Sequence, residues 1–254
     1  MEYGLIGEKL GHSYSKTIHE KLAGYTYDLC PLTREEFPLF MERREFTAIN
    51  VTIPYKREVI PYLDSIDEDA AAIGAVNTIV NQNGRLSGYN TDLPGFLYMV
   101  KKNNVTIEGK KTVVLGNGGA AQAVKAAVKK LGASALITVG HRVMAEGVIT
   151  YEECFARHQD AEILINTSPV GMYPNVDASP VDLTRFPSCE AVLDIIYNPV
   201  TTKLTAQAEQ LGIPGITGLE MLVAQAKYAV EIFLDTNIEE EVIENICRDM
   251  RAAF

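Results

Sequence analysis

Short apolar runs alternate with helical patterns along the first ninety residues. The runs YGLIG, YTYDLC and TAINVTI are typical of strands, and SKTIHEKL and REEFPLFMER between them repeat apolar positions with a helical period. A third helix is predicted to begin at Pro54, because proline is favoured in a first helical turn. The dipeptide Asn83-Gly84, which accepts positive φ at both positions, predicts a two-residue hairpin turn between two further strands.

A second alternating series begins after Gly109. Its runs TVVLG, ALITVG, EILIN and AVLDII are apolar enough to be buried on both faces, and a helix is predicted from about Gly119 to Leu131. The pattern predicts a Rossmann-type, doubly wound parallel sheet. The last stretch, from Leu219 onward, is predicted to be helical throughout. We therefore predict an α/β protein with one domain of residues 1–92 and 223–254, a Rossmann domain of residues 93–222, and a cleft between them.

Composition narrows the class of protein. The 254 residues are 47% hydrophobic and 22% charged, which is ordinary for a globular chain with a real core. A formal net charge of −10 and the absence of a basic stripe argue against a nucleic-acid partner. The N-terminus lacks a basic segment followed by an apolar one, and no run is long enough to span a bilayer, so neither secretion nor membrane insertion is expected.

Cysteine and histidine spacing gives no sign of a metal. The four cysteines are far apart and form no CxxC pair, so neither a disulfide framework nor a zinc ribbon is expected. The four histidines never stand four residues apart, the spacing that places two ligands on one helix face. We expect a protein of the reducing cytoplasm without a metal site.

The strongest single motif is a glycine loop between an apolar strand and a helix. It reads Gly116-Asn117-Gly118-Gly119-Ala120-Ala121, which is GxGxxA. Gly116 permits a tight turn, Gly118 lets backbone N–H groups approach a pyrophosphate, and Ala121 allows close packing of helix and strand. The motif predicts a dinucleotide site, the alternative being a glycine turn of purely structural purpose.

The end of the next strand bears on the choice of cofactor. NAD-binding proteins usually carry Asp or Glu there, about 20 residues after the loop, to bind the ribose 2′-hydroxyl. This chain has His141-Arg142-Val143 instead. Because a guanidinium makes bidentate contacts with phosphate, Arg142 favours NADP over NAD, unless it is only a solvated loop residue.

Lys56 and Asp92, two charged residues in the first half of the chain, each have two interpretations. Lys56 falls in the first turn of the helix predicted from Pro54, where the helix dipole disfavours a cation. It is therefore either a proton-transferring lysine or part of a charged surface face. Asp92 precedes a helical stretch and, taken alone, is better explained as its N-cap.

Three polar residues near helices also stand out. Ser13 and Ser15 flank the start of the first helix, where they would cap it or form a cradle for a carboxylate. Gln225 falls on the apolar face of the last long helix, where an unpartnered amide is costly, so it is expected to meet another polar group.

Eight segments, in order, strongly resemble the shikimate dehydrogenase family, which is also called the shikimate/quinate dehydrogenase family. They are GHSYSKTIH, INVTIPYK, GAVNTI, GYNTDLPGF, VLGNGGAAQAV, INTSPVGM, DIIYNPVTTKL and GLEMLVAQA, and they span nearly the whole chain. The resemblance implies reversible NADPH-dependent reduction of 3-dehydroshikimate to shikimate, a step in chorismate and aromatic amino-acid biosynthesis. It implies small-molecule ligands only, and a monomer or homodimer.

The resemblance also implies roles for individual residues. The catalytic pair would be Lys56, as proton acceptor for the substrate hydroxyl, and Asp92, which orients both partners. The substrate carboxylate would be bound by Ser13, Ser15 and Gln225, and the ring hydroxyls by Thr52, Asn77 and Tyr197. The cofactor would contact the loop Gly116, Asn117, Gly118, Gly119 and Ala120, the 2′-phosphate clamp His141 and Arg142, and near the nicotinamide Ile195 and Gly218. Residues 1–92 and 223–254 would be the substrate-binding domain, and 93–222 the NADP-binding domain.

Two departures from the family pattern matter. The family's clamp commonly reads Asn-Arg-Thr with a further basic residue four positions after the arginine, whereas this chain has Glu146 there. That weakens the expected NADP preference and leaves NAD use open. Lys16 stands where the family usually has proline.

Two other functions stay open. A quinate/shikimate dehydrogenase using NAD would carry an acid after the second Rossmann strand, which this chain lacks. A non-catalytic dinucleotide-sensing module would have lost the proton-transfer pair, and retention of Lys56 and Asp92 argues against it.

Overall fold

A computed structural model describes residues 1–11, 13–140 and 146–253. The chain divides into two compact units. The first unit comprises Met1–Gly95 with Val223–Arg248, and the second comprises Phe96–Leu222 with the end of the chain from Asp249. Each unit has its own six-stranded sheet, so the predicted α/β fold class is confirmed.

The sheet of the first unit is mixed. Its strands are β1 (Tyr3–Gly7), β2 (Tyr27–Pro31), β3 (Ala48–Val51), β4 (Ser65–Ile66), β5 (Thr78–Gln82) and β6 (Arg85–Tyr89), in the order β2-β1-β3-β5-β6-β4. Strand β1 is parallel to β2 and β3, and β5 is antiparallel to β3 and β6. The helices of this part are α1 (Ser15–Leu22), α2 (Glu36–Arg43) and α3 (Glu68–Ile73).

One local prediction for this unit is confirmed and one is wrong. Asn83 and Gly84 have φ values of 55° and 87° and join β5 to β6 as the predicted hairpin turn. The helix predicted from Pro54 does not form, and residues 53–59 make successive turns before a short 3-10 turn at Ile60–Tyr62. The reason is that the carbonyl of Lys56, which a helix would offer to residue 60, accepts from the N–H of Val76 at 2.7 Å.

Strand direction brings several polar segments to one edge of this sheet. Strand β3 ends at Val51, and its antiparallel neighbour β5 begins at Thr78 beside it. Strand β6 ends at Tyr89, opposite Thr78. Thr52, Asn77 and Asn90 therefore all leave the sheet at the carboxyl edge of β3.

The sheet of the second unit is parallel throughout. Its strands are β7 (Lys111–Leu115), β8 (Ala135–Val139), β9 (Val148–Ile149), β10 (Ile163–Asn166), β11 (Ala191–Asp194) and β12 (Gly215–Thr217), ordered β12-β11-β10-β7-β8-β9. The helices are α5 (Gly119–Lys130), α6 (Tyr151–Arg157) and α7 (Lys203–Gln210). This is the strand order of dinucleotide-binding domains, with the switch point between β7 and β10. The predicted Rossmann sheet is confirmed.

Three helices complete the described chain. They are α4 (Asp92–Lys102), α8 (Leu219–Leu234) and α9 (Glu241–Ala253). The expectation of unbroken helix from Leu219 onward is wrong, because Asp235 has a φ of 48° and ends α8. The N–H of Ile238 then donates to Oε1 of Glu231 at 2.7 Å, which holds the intervening loop. Among the described residues, no helix combines the length and apolarity needed to cross a membrane.

Each unit encloses its own apolar core. In the first unit Ile6, Met41 and Ile49 are fully buried together between the sheet and α2. In the second unit Val113, Leu164 and Val192 come from neighbouring strands and pack against Leu204 of α7. Such cores hold the strand ends, and therefore the polar loops that follow them, in fixed positions.

Candidate functional site

A buried ion pair lies at the carboxyl edge of β3. Nζ of Lys56 donates to Oδ2 of Asp92 at 2.6 Å, and the two side chains are only 14% and 10% exposed. Nδ2 of Asn77 donates to the other carboxylate oxygen of Asp92 at 3.0 Å. The structure thus brings together three of the residues predicted for the site. Both carboxylate oxygens are bound, which fixes the position of the lysine amine.

The start of α4 explains why Asp92 is available for this pair. The helix begins at Asp92, and Oδ1 of Asn90 accepts from the N–H groups of Asp92 and Leu93 at 3.1 and 3.4 Å. Asn90 therefore caps the helix, and the interpretation of Asp92 as the N-cap is wrong. The carboxylate of Asp92, placed in the first turn, still benefits from the positive end of the helix dipole.

Hydrogen bonds hold both the side chain and the backbone carbonyl of Asn77. Its Oδ1 accepts from the N–H of Thr91 at 2.7 Å and from the hydroxyl of Thr78 at 2.9 Å. Nδ2 of Asn50, on β3, donates to the backbone carbonyl of Asn77 and to Oγ1 of Thr78, each at 3.1 Å. These groups are buried, so the network is rigid because a broken bond would leave a polar atom without water.

Thr52 lies in the loop after β3, Ser13 lies in the loop after β1, and Ser15 begins α1. Thr52 follows β3 directly and packs against Gly7. A Cβ at Gly7 would lie only 2.5 Å from the methyl carbon of Thr52. Ser13 and Ser15 lie at the start of α1, where Oγ of Ser13 accepts from the N–H of Ser15 at 3.2 Å. Because β1 and β3 are parallel neighbours, these loops leave the same edge of the sheet.

The remaining predicted substrate contacts fall in different units. Gln225 is half-buried on α8, in the first unit. Tyr197 is half-buried in the loop after β11, in the second unit.

Gly116 is a glycine for two physical reasons. Its φ is 113°, a conformation that side chains disfavour, and a Cβ there would lie 2.6 Å from Oγ1 of Thr167. The hydroxyl of Thr167 donates to the carbonyl of Leu115 at 2.9 Å, so the loop after β10 is fixed against the end of β7. Gly116 thus has the positive φ for which a glycine was predicted there.

The next part of the loop is open. Gly118 precedes α5 with an extended backbone, and a Cβ there would meet no atom within 4 Å. The first residues of α5 are Gly119 and Ala120, so the open space lies beside a helix N-terminus, where a phosphate is favoured. The donor set and the space fit a dinucleotide phosphate.

A lysine adds positive charge to this loop. Nζ of Lys125, from α5, donates to Oδ1 of Asn117 at 2.8 Å, and Nε2 of Gln122 donates to the same oxygen at 3.2 Å. Partial burial lowers the pKa of Lys125, and the charge of Lys129 lowers it further. Sequence reasoning missed Lys125, because only the structure shows that its amine reaches back along α5 to the loop residue Asn117.

A buried carboxylate holds the segment predicted to lie near the nicotinamide. Oδ1 of Asp194 accepts from Nδ2 of Asn166 at 3.0 Å and from the N–H of Ile196 at 3.1 Å. Oδ2 accepts from the hydroxyl of Thr202 at 2.8 Å. Burial raises the pKa of Asp194 to about 6, against the opposing effect of these donors. The sequence signal for Asp194 is its position as an acid at the end of the apolar run AVLD.

Gly218 packs against this segment. Its N–H donates to the carbonyl of Ile196 at 2.9 Å, and a Cβ at Gly218 would overlap the backbone oxygen of Ile195. The two residues predicted near the nicotinamide, Ile195 and Gly218, are therefore in contact. His141 and Arg142, the predicted 2′-phosphate clamp, lie outside the described residues.

Comparison with known proteins gives a consistent result. A family model described as the shikimate dehydrogenase substrate binding domain matches residues 5–79. The Clostridium beijerinckii protein named shikimate dehydrogenase (NADP(+)) is 37% identical over 261 residues, covering 96% of each chain. The structure of a chorismate mutase/shikimate 5-dehydrogenase fusion protein from Clostridium acetobutylicum is 38% identical with a TM-score of 0.93, covering 99% of this chain and 97% of that one.

A further solved structure, shikimate 5-dehydrogenase from Thermus thermophilus in complex with NADP(H) and shikimate, is 29% identical with a TM-score of 0.87. It covers 98% of this chain and 99% of that one. The Rossmann strand order, the glycine loop and the lysine–aspartate pair define a two-unit α/β dehydrogenase. The extent of identity to the Clostridium protein makes the assignment specific: the chain belongs to the shikimate dehydrogenase family.

Proposed function

We propose that this protein is an NADP-dependent shikimate dehydrogenase, which reversibly reduces 3-dehydroshikimate to shikimate in aromatic amino-acid biosynthesis. The observation that carries the proposal is the contact of Lys56 with Asp92, at 2.6 Å, in a chain whose relatives bear that name. Hydroxyl oxidation needs a proton acceptor beside the reacting carbon, and a largely buried lysine held by a carboxylate supplies one.

The proton steps belong to Lys56. In the reducing direction its ammonium donates a proton to the carbonyl oxygen of the substrate as that oxygen becomes a hydroxyl. In the oxidising direction the neutral amine takes the same proton back. Asp92 orients the amine by hydrogen bonding, and Asn77 holds Asp92 in turn.

The substrate would be bound by residues of loops and of one helix. Ser13, Ser15 and Gln225 would bind the carboxylate, and Thr52, Asn77 and Tyr197 the ring hydroxyls. The support for this assignment is that Ser13, Thr52 and Asn77 leave the same edge of the first sheet as Lys56.

The second unit would hold the cofactor. Backbone groups of the loop from Gly116 to Ala120, with Asn117, would bind the pyrophosphate at the N-terminus of α5. Ile195 and Gly218 would lie near the nicotinamide, and His141 with Arg142 would contact the 2′-phosphate. When bound, NADPH supplies the hydride for the reduction. Excluding water from this site would protect the hydride donor.

The two other functions make different predictions. A quinate/shikimate dehydrogenase using NAD would oxidise quinate and prefer NAD, and the sequence lacks the acid expected after β8 for that cofactor. A dinucleotide-sensing module would bind cofactor without turnover, and the intact Lys56–Asp92 pair disfavours it. We further propose a cytoplasmic location, and either a monomer or a homodimer.

Initial rates decide among these functions. Oxidation of shikimate and of quinate would be measured with NADP and with NAD, by the absorbance of the reduced nicotinamide. We expect turnover of shikimate with a preference for NADP. Preference for NAD would keep the family but discard the Arg142 clamp. Cofactor binding without turnover of either substrate would contradict the proposal.

A further inference from the structure

A series of hydrogen bonds connects the hydroxyl of Tyr27 to the Lys56–Asp92 pair, in the same unit. Tyr27 belongs to β2, has no exposed surface, and donates to Oδ1 of Asn50 at 2.7 Å. Burial raises the pKa of Tyr27 well above its usual value, so the phenol keeps its proton and remains a donor. Its partner Asn50 is 5% exposed, and the bond between them is buried.

This bond sets the orientation of the Asn50 amide. With its oxygen on Tyr27, Asn50 presents Nδ2 to the carbonyl of Asn77 and to Oγ1 of Thr78. The hydroxyl of Thr78, which accepts from Asn50, can then donate to Oδ1 of Asn77 at 2.9 Å. The series from Tyr27 therefore supplies one donor to Oδ1 of Asn77, beside the backbone N–H of Thr91 at 2.7 Å.

The series ends at the reacting groups. With Oδ1 of Asn77 occupied by donors, its Nδ2 points to Oδ1 of Asp92 at 3.0 Å, which leaves Oδ2 for Lys56. Loss of the Tyr27 hydroxyl would leave Oδ1 of Asn50 buried without this donor. The amide would then be held only by the bonds of Nδ2 to Asn77 and Thr78, and the positions of these groups would be fixed less tightly.

We infer that Tyr27 is a positioning residue: through Asn50, Thr78 and Asn77 its hydroxyl contributes to fixing the carboxylate of Asp92 and so the amine of Lys56. The inference rests on the proposed function for its kinetic consequence, though not for its geometry. Tyr27 itself is not expected to contact the substrate, because other side chains separate it from the pair.

Tyr27→Phe tests this by removing one oxygen while keeping the buried ring. Tyr25→Phe is the matched control, because Tyr25 belongs to the same aromatic cluster and its hydroxyl bonds to Nδ1 of His19 at 2.8 Å, away from the series. We expect Tyr27→Phe to lower kcat for shikimate about five- to tenfold, with KM for NADP within about twofold, and Tyr25→Phe to change neither by more than about twofold.

A second variant distinguishes an effect on the position of Asp92 from an effect on the stability of the protein. Thr78→Val removes the next hydroxyl in the series, so the double variant Tyr27→Phe/Thr78→Val should lose less than the product of the two single losses. The double variant also distinguishes a fall in kcat caused by lost stability, because independent destabilisations add in free energy and would give at least the product of the two single losses. Multiplicative losses, or a kcat of Tyr27→Phe within about twofold of the parent, would overturn the inference.

A chemical readout makes the result independent of the substrate. Lys56 would be acylated by an amine-reactive ester, and its modification rate would be measured by peptide mass spectrometry. We expect faster modification in Tyr27→Phe than in the parent protein and Tyr25→Phe, because a less fixed Asp92 shields the amine less. Failure of the parent to oxidise shikimate would contradict the proposed function alone, whereas equal modification rates would overturn the role of Tyr27.

Discussion

Nζ of Lys56 and Oδ2 of Asp92 are 2.6 Å apart, although 36 residues separate them in the chain. The lysine follows β3 in a run of turns, and the aspartate opens α4, so two different local structures meet at one point. Because both side chains are largely buried, the pair depends on hydrogen bonds from its neighbours, and Asn77 donates one to the carboxylate.

Removal of the amine should abolish proton transfer without affecting the cofactor. We expect Lys56→Ala to lower kcat about 10²- to 10⁴-fold, the usual contribution of a positioned acid or base, with the Kd of NADP within about twofold. Steady-state rates and a fluorescence titration of NADPH would measure the two quantities. Lys21→Ala, at an exposed position of α1, is the control. Equal losses in kcat and cofactor affinity would remove Lys56 from the role of proton donor.

Two glycines with similar surroundings should behave differently. A Cβ at Gly118 or at Gly24 would meet no atom within 4 Å, so alanine at either position should leave the thermal unfolding temperature nearly unchanged. Only Gly118 stands in the proposed phosphate loop, where a methyl group would occupy the space left for the ligand. We expect Gly118→Ala to raise KM for NADP about tenfold or more and Gly24→Ala to leave it unchanged. A normal KM in Gly118→Ala would argue against phosphate binding there.

The local patterns predicted most of the fold. Apolar runs that could be buried on both faces predicted the parallel sheet of the second unit, and Asn83-Gly84 predicted the hairpin, since both signals are local. The helix at Pro54 was predicted wrongly because the competing bond comes from Val76, which is distant in sequence. The end of α8 at Asp235 was missed for a different reason, because neither neighbour of Asp235 is a glycine or a proline that would mark the end of a helix.

The candidate site shows the same limit more sharply. Position alone favoured capping for Asp92, and only the structure shows that Asn90 takes that role. Asn50 interrupts the apolar run AINV, a signal of a buried polar contact, yet its partner Tyr27 is 23 residues away on β2. Hydrogen-bond partners on different strands depend on the strand order of the sheet, which periodicity does not encode.

The loss of stability at acid pH should depend on His19. This side chain is 1% exposed and stacks on Tyr27, and burial lowers its pKa from 6.5 to about 3. Below about pH 6.5 the unfolded chain binds a proton that the folded chain does not, so stability is lost as the pH falls from 6.5 towards 3.

We therefore expect His19→Phe, which keeps an aromatic ring, to lose less stability than the parent between pH 7 and pH 4.5. The difference should be roughly 2–3 kcal/mol at pH 4.5. Urea unfolding at the two pH values would measure it. The same loss in both proteins would mean that His19 has the same pKa in the folded and the unfolded chain.

Asp194, in the second unit, should make stability depend on pH in the opposite direction. Its carboxyl is fully buried, and the groups that face it are the amide of Asn166, the hydroxyl of Thr202 and the N–H of Ile196. Because burial raises its pKa from 3.8 to about 6, the folded chain holds a proton that the unfolded chain releases between these values. The stability contribution of Asp194 is thus complete below pH 3.8 and is lost as the pH rises through 6.

Asp194→Asn removes this titration but cannot replace both acceptor oxygens. At pH 4.5 we expect a lower free energy of unfolding for Asp194→Asn than for the parent. At pH 7 the difference should be smaller by about 2 kcal/mol, because the parent then carries a buried charge. Urea unfolding followed by fluorescence at both pH values gives the two differences. Asn166→Asp would place a second carboxyl beside the first and should steepen the loss of stability with rising pH, because two like charges share one buried site. A constant gap between Asp194→Asn and the parent across this range would show that Asp194 ionises in the folded protein as it does in the unfolded chain, and that the donors around it fully offset its burial.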